Sequence, residues 1–273
     1  MFAKSPILGH PAQMEFLAFS HSGFLVVMAI LVAIVSGFTG LSLTRDLSSK
    51  AVFDKKVSVA LASVALGGGI WAMHFISMLS FQAPLDIHHD LPVTIASLGI
   101  ALVSGMVAME ALSHRRLNVA QYFFAAMCIG LGIIAMHYVG MSAMRSGATQ
   151  YYEPWRFAGS ILVAIASSLA ALILAIRLRR GSGALHQWLK YGASLVLGAG
   201  IVSTHFMGMW ALHLMVPDGA QLQMDTRENS LHLSLTIALI VLLIIAGSVS
   251  AALADKKLQA KERDLHRVNA LLS

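Results

Sequence analysis

Charge is what this chain has least of. Only 12% of its 273 residues are Asp, Glu, Lys or Arg, while 57% are apolar. Soluble domains carry about 25% charged and about 45–50% apolar residues, so a water-soluble fold is excluded. A single cysteine, Cys128, rules out a disulfide scaffold, and six prolines are too few for a collagen-like chain. Also missing are a Ser/His/Asp constellation, a Gly-rich phosphate loop followed by Lys, and an HExxH zinc motif, so no catalytic activity is expected within this chain. Residues 1–20 lack the basic segment, apolar core and small-residue cleavage site of a signal peptide, and none is expected. The net charge of +6 would suggest a nucleic-acid partner in a soluble protein; in a membrane protein loop asymmetry accounts for it.

What is there is apolar sequence in long blocks. The blocks predict seven transmembrane helices, at about 21–43, 57–81, 92–112, 119–144, 156–176, 191–214 and 230–253. They are too long and continuous for the alternating segments of a membrane barrel. Basic residues then set the orientation. Arg45, Lys50, Lys55 and Lys56 lie after the first helix, Arg115 and Arg116 after the third, and Arg177, Arg179, Arg180 and Lys190 after the fifth. Lys256, Lys257, Lys261, Arg263 and Arg267 follow the seventh, against Lys4, Arg145, Arg156 and Arg227 on the other side. The N-terminus is therefore expected outside and the C-terminus in the cytoplasm. Leu258, Leu265 and Leu272 recur every seven residues. Residues 254–273 read either as an amphipathic end helix on the inner leaflet or as the start of a parallel coiled coil, through which the chain would form a homodimer. The second reading expects a longer protein, with 1–253 as the membrane domain.

Self-comparison shows a repeat. Gly67-Gly68-Gly69-Ile70-Trp71-Ala72-Met73-His74-Phe75-Ile76-Ser77-Met78 aligns without gaps with the twelve residues from Gly130 to Met141 and those from Gly198 to Met209. The histidines, His74, His137 and His205, are 63 and 68 residues apart. Ala33-Ile34-Val35-Ser36-Gly37 and Ala101-Leu102-Val103-Ser104-Gly105 echo each other in the preceding helices, with Ser167-Ser168 as a weaker third copy. The expected fold is an all-α membrane protein of three parallel two-helix repeats plus a seventh helix.

At ~100° per residue, the Gly seven before each His, the Ile four before, the Ser or Gly three after and the Met four after share one helix face. Small residues admit close helix neighbours, so that face should look into the bundle. Each His should lie near the outer leaflet, roughly 25 Å along a core about 30 Å thick. One buried His reads first as hydrogen-bonded to a neighbour; three converging neutral imidazoles read as metal ligands. Met78, Met141 and Met209 add thioethers, and a His/Met set without Cys or carboxylate favours copper, with zinc as the alternative. Thioethers also fill core gaps, and the paired glycines read as packing. His10, His21, His88, His89, His213 and His232, with Met14, Met144, Met215 and Met224, are further donors on the outer side. His88-His89, between Asp86 and Asp90, reads first as a solvated loop and second as a metal-recruiting one. A metal transporter or channel would need polar groups across the whole bilayer, yet the inner halves of these helices are Gly, Ala, Leu and Val. A haem protein with paired axial His is a third reading.

Met136-His137-Tyr138, with Met73-His74-Phe75 and Thr204-His205-Phe206, resembles the MHYT domain, named for a Met-His-Tyr-Thr motif. The Thr is absent in all three copies, where Ile76, Val139 and Met207 stand instead. The resemblance implies a bacterial inner-membrane sensor module that binds copper and responds to oxygen, carbon monoxide or nitric oxide. It also implies a cytoplasmic GGDEF or EAL output domain acting on cyclic di-GMP. Ligand status carries over to His74, His137 and His205, then to Met78, Met141 and Met209, and last to Met73 and Met136.

Overall fold

The computed structural model describes residues 14–46, 55–114, 118–178, 184–217, 235–243, 246–247 and 250. Its long helices are α1 (Gly23–Asp46), α2 (Lys55–Ser80), α3 (Leu91–Ser113), α4 (Val119–Ser142), α5 (Pro154–Leu178) and α6 (Ala184–Ala211). All six are long and apolar enough to cross a membrane. A seventh helical stretch, α7, covers 235–243. Six of the expected spans are therefore present, and of the seventh the described residues show helix at 235–243. His10, His232, Met224 and the heptad tail at 254–273 lie outside the described residues.

Each helix packs on the next, and α6 closes on α1 to complete a ring; α2, α4 and α6 also meet one another. α7 lies over α2, where Ile240 faces the space beside Gly68. Polar groups within the apolar helices are satisfied locally, as hydrocarbon requires. Ser36, Ser63 and Ser104 each donate to a carbonyl one turn back, and Trp71 Nε1 donates to Ser97 Oγ at 3.0 Å. The start of α4 is set by a capping box, with Asn118 Oδ1 accepting from the Gln121 amide at 2.8 Å and Gln121 Oε1 from the Asn118 amide at 2.9 Å.

One end of the bundle is capped by strands. Among the described residues it carries seven short ones: β1 (Met14–Leu17), β2 (Ser20–His21), β3 (Phe81–Gln82), β4 (His88–His89), β5 (Met144–Arg145), β6 (Thr149–Tyr152) and β7 (Leu212–Pro217). They form one three-stranded sheet, β1-β7-β6, and two antiparallel pairs, β2-β3 and β4-β5. α6 consequently ends at Ala211, short of the expected boundary. The apolar run Leu212-His213-Leu214-Met215-Val216 is a buried strand, and hydropathy alone does not separate it from the helix before it.

Asp90 ties this end to α3. Its carboxylate caps the helix by accepting from the Val93 amide at 3.2 Å and pairs with Arg145 at 3.2 Å. The Val93 hydrogen bond and the Arg145 guanidinium together hold its pKa below the ordinary aspartate value of 3.8. A lowered folded-state value means stability that is present above the unfolded pKa and lost as pH falls through the folded one. Asp90→Ala should therefore melt below wild type at pH 7, with the gap closing on acidification and Asp90→Asn keeping part of the cap. Melting curves across that pH range check this.

Candidate metal centre

α2, α4 and α6 each deliver one imidazole to the axis of the ring, because the repeated spacing puts each His on the inward face. His74, His137 and His205 are 0%, 2% and 2% exposed. Their ring centroids stand 4.9, 5.1 and 5.1 Å apart, with the rings edge to face. His74 Nδ1 lies 3.0 Å from His205 Nδ1 and 3.2 Å from His137 Nδ1. Close approach depends on the small residue three positions after each His. A Cβ added at Gly140 would stand 2.5 Å from His74 Nε2, and one at Gly208 2.9 Å from His137 Cδ2. Each of these glycines is thus the seat of a neighbouring repeat's imidazole, and Ser77 holds the third such position.

The trio is unsatisfied as it stands. Three Nδ1 atoms meet, and a neutral imidazole nitrogen either donates or accepts. His74 Nδ1 faces both His205 Nδ1 and His137 Nδ1, so its one hydrogen or one lone pair is shared between two partners. All three Nε2 atoms are buried without a hydrogen-bond partner, which is costly in an apolar interior. A cation held by the Nδ1 lone pairs relieves the crowding at Nδ1 and fixes the hydrogen of each ring on Nε2. Metal–nitrogen bonds of about 2.0–2.1 Å at tetrahedral angles separate the nitrogens by roughly 3.3–3.4 Å, within a few tenths of an ångström of the spacings here. The three histidines can therefore hold one metal ion, and their ligand atoms all lie within 4.8 Å of one another.

The methionines divide into two groups. Met78, Met141 and Met209 pack together with Met144, Phe81, Leu85, Leu212, Leu214 and Val216 in a buried apolar cluster beneath the strands. Met73 and Met136 belong instead to the main helical core, where Ser77 Oγ donates to Met73 Sδ at 3.6 Å. On the far side of the trio Ile70, Ile133 and Ile201, one turn before each His, help line an apolar cavity of about 70 Å³. Ser167 and Ser168 are the polar residues in its wall.

A second tier surrounds the trio. Phe75, Tyr138 and Phe206 each follow a trio histidine, and each meets an aromatic ring at the start of an odd-numbered helix. Phe75 meets His89 at 5.8 Å, Tyr138 meets Tyr152 at 5.1 Å and Phe206 meets His21 at 5.6 Å. His21, His89 and Tyr152 are 68 and 63 residues apart, the repeat's own spacings. This signal was readable in the sequence, but it was obscured because the third member is a tyrosine and its flanks do not repeat. The reading of His88-His89 as a solvated loop is corrected: β4 pairs with β5, which leaves His88 exposed and turns His89 inward. Burial first and the neighbouring His88 second push His89 down to about 4, and burial lowers His21. Both are neutral at pH 7. Burial raises the Tyr152 phenol, which stays protonated.

Fold and site together define a multi-pass helical protein of the inner membrane with a buried cluster of three imidazoles. The family model described as MHYT, bacterial signalling protein N terminal repeat, matches residues 67–125 and 130–187, and the chain belongs to that family. The cyclic di-GMP phosphodiesterase NbdA of Pseudomonas aeruginosa is 38% identical over 270 residues, 99% of this chain and 34% of that protein. The bifunctional diguanylate cyclase/cyclic di-GMP phosphodiesterase MucR of the same organism is 31% identical over 242 residues, 89% of this chain and 35% of its own length. The signaling protein YkoW of Bacillus subtilis is 28% identical over 228 residues, 82% of this chain and 28% of its own. The chain spans about a third of the length of these curated relatives. No solved structure matches it.

Proposed function

We propose that this chain is the membrane sensor module of a longer signalling protein, built of three parallel two-helix repeats with the strand-capped end outside the cell. His74, His137 and His205 hold a copper ion through Nδ1, with zinc as the alternative metal. Met78, Met141 and Met209 supply soft donors from the cluster above, while Met73 and Met136 serve the core. The observation that carries the reading is the cluster of buried imidazoles, with His74 Nδ1 3.0 and 3.2 Å from the Nδ1 atoms of His205 and His137, spacings that suit one ion. Copper, when bound, supplies an electron-transfer and gas-ligating centre, so oxygen, carbon monoxide, nitric oxide or metal supply are the stimuli that fit. The chain's own contribution is to keep three neutral imidazoles dry and aimed at one point. α7 follows the ring directly and lies against α2, one of the ligand-bearing helices, so a change in trio spacing reaches it through the Gly68–Ile240 contact. From there it passes to a cytoplasmic output domain, and the similarity to NbdA and MucR supports one that turns over cyclic di-GMP.

The apolar wall of the cavity below the trio argues against an ion path across the bilayer. Metal analysis of purified protein tests the reading. Wild type should retain close to one equivalent, and His74→Ala, His137→Ala and His205→Ala should each lose most of it. Equal content in all four would overturn the centre.

A further inference from the structure

The trio is sealed at its capped end. Around Met78, Met141 and Met209, the side chains of Phe81, Leu85, Leu212, Leu214 and Val216 close a dry layer without donors, and a bare ion crossing it carries a heavy desolvation cost. An ion reaches the trio at a useful rate only if it passes from ligand to ligand. The second tier supplies those ligands on two of the three sides. His89 Nε2 and His21 Nε2 are both buried with no hydrogen-bond partner. Phe75 touches both His89 and His74, and Phe206 both His21 and His205: Phe75 lies 4.8 Å from His74, and Phe206 5.0 Å from His205.

The third side is closed. Tyr152 replaces the histidine, and its hydroxyl donates to Gln150 Oε1 at 2.7 Å. Gln150 Nε2 in turn donates to the carbonyls of Met141 and Met144 at 3.1 and 3.3 Å. A protonated phenol is a weak ligand for either ion, and this hydrogen bond ties its oxygen to Gln150.

We propose that His21 and His89 are transfer ligands, which hand a Cu(I) or Zn²⁺ ion from the strand-capped end to His205 and His74 without being part of the resident site. The inference rests on the trio being a metal centre. The experiment uses the metal-free full chain in detergent. Zn²⁺ alone, and Cu(I) alone, are offered from a coloured chelator; the uptake rate is followed optically and the final content by elemental analysis. His21→Gln/His89→Gln should load at least tenfold more slowly than wild type and reach the same final content. Tyr152→His should load faster than wild type, because it opens the third side. Loading of the double variant at the wild-type rate would overturn the transfer role and leave the trio standing. A lower final content would also overturn it, since the two histidines would then be resident ligands. If wild type itself retains no metal, the centre and the transfer role fall together. His21→Asn/His89→Asn, with melting curves beside the loading traces, separates slow transfer from a damaged fold: a variant that melts like wild type but loads slowly supports the role.

Discussion

Gly67→Ala and Gly105→Ala should each push α2 and α3 apart and lower stability by about 1–3 kcal/mol, the range for overpacking a tight interior. These two glycines are where the helices touch backbone to backbone. A Cβ on Gly67 would run into the Ala101 carbonyl and stand 3.0 Å from Leu102 Cα. One on Gly105 would meet the Ser63 carbonyl at 2.6 Å and the Gly67 amide nitrogen at 3.0 Å. Nothing there is the loose end of a side chain, so whole helices must move. Gly99→Ala, on the same α3, is the control: no atom lies within 4 Å of its added Cβ, and it should be neutral or slightly stabilising through helix propensity. The double variant should cost less than the sum of the singles, because both methyl groups open the same crossing. Melting temperatures of the four variants against wild type decide it.

That crossing belongs to a pattern which the sequence announced in part. The first Gly of each motif does the same work in turn: Gly67 on α3, Gly130 against Ile165 of α5, and Gly198 against Ile34 of α1. The repeat was legible because a spacing of seven residues from Gly to His returns to nearly the same helix face. What the wheel could not show is the division of labour along that face. Before the His, the small residue admits the neighbouring odd helix; after it, Gly140 and Gly208 admit an imidazole from another repeat. Nor could the wheel tell which ring nitrogen turns inward, since that depends on a rotamer settled by packing around all three rings. The capping strands were invisible for another reason. β2 with β3 and β4 with β5 join two-residue segments far apart in sequence, and such short pieces carry no periodic signal. The second tier was hidden by the loss of one histidine, although its spacings were on the page.

The division of labour makes a second prediction that separates site from fold. Gly140→Ala and Gly208→Ala should lower metal affinity at least tenfold while costing less stability than Gly67→Ala. An added Cβ at Gly140 stands 2.5 Å from His74 Nε2 and 3.4 Å from the tip of Phe75, so the obstacle is a side chain and the backbones can stay where they are. The imidazole must tilt, and its Nδ1 moves with it. Nitrogens now 3.0 and 3.2 Å apart would spread, and a ligand displaced by a few tenths of an ångström no longer meets a shared ion at about 2.0–2.1 Å. Ser77→Gly runs the change in reverse at the third such position: the hydroxymethyl group goes, with its hydrogen bond to Met73 Sδ, no ring is displaced, and the three ligand seats become alike. It should retain metal as wild type does, with a small loss from freeing a helical backbone position. Competition titrations against a calibrated chelator, read beside melting curves, give both quantities on the same samples. Affinity that falls in step with stability across Gly67→Ala, Gly140→Ala and Gly208→Ala would mean that the small residues serve helix packing alone, and that the trio tolerates displacement because it grips nothing.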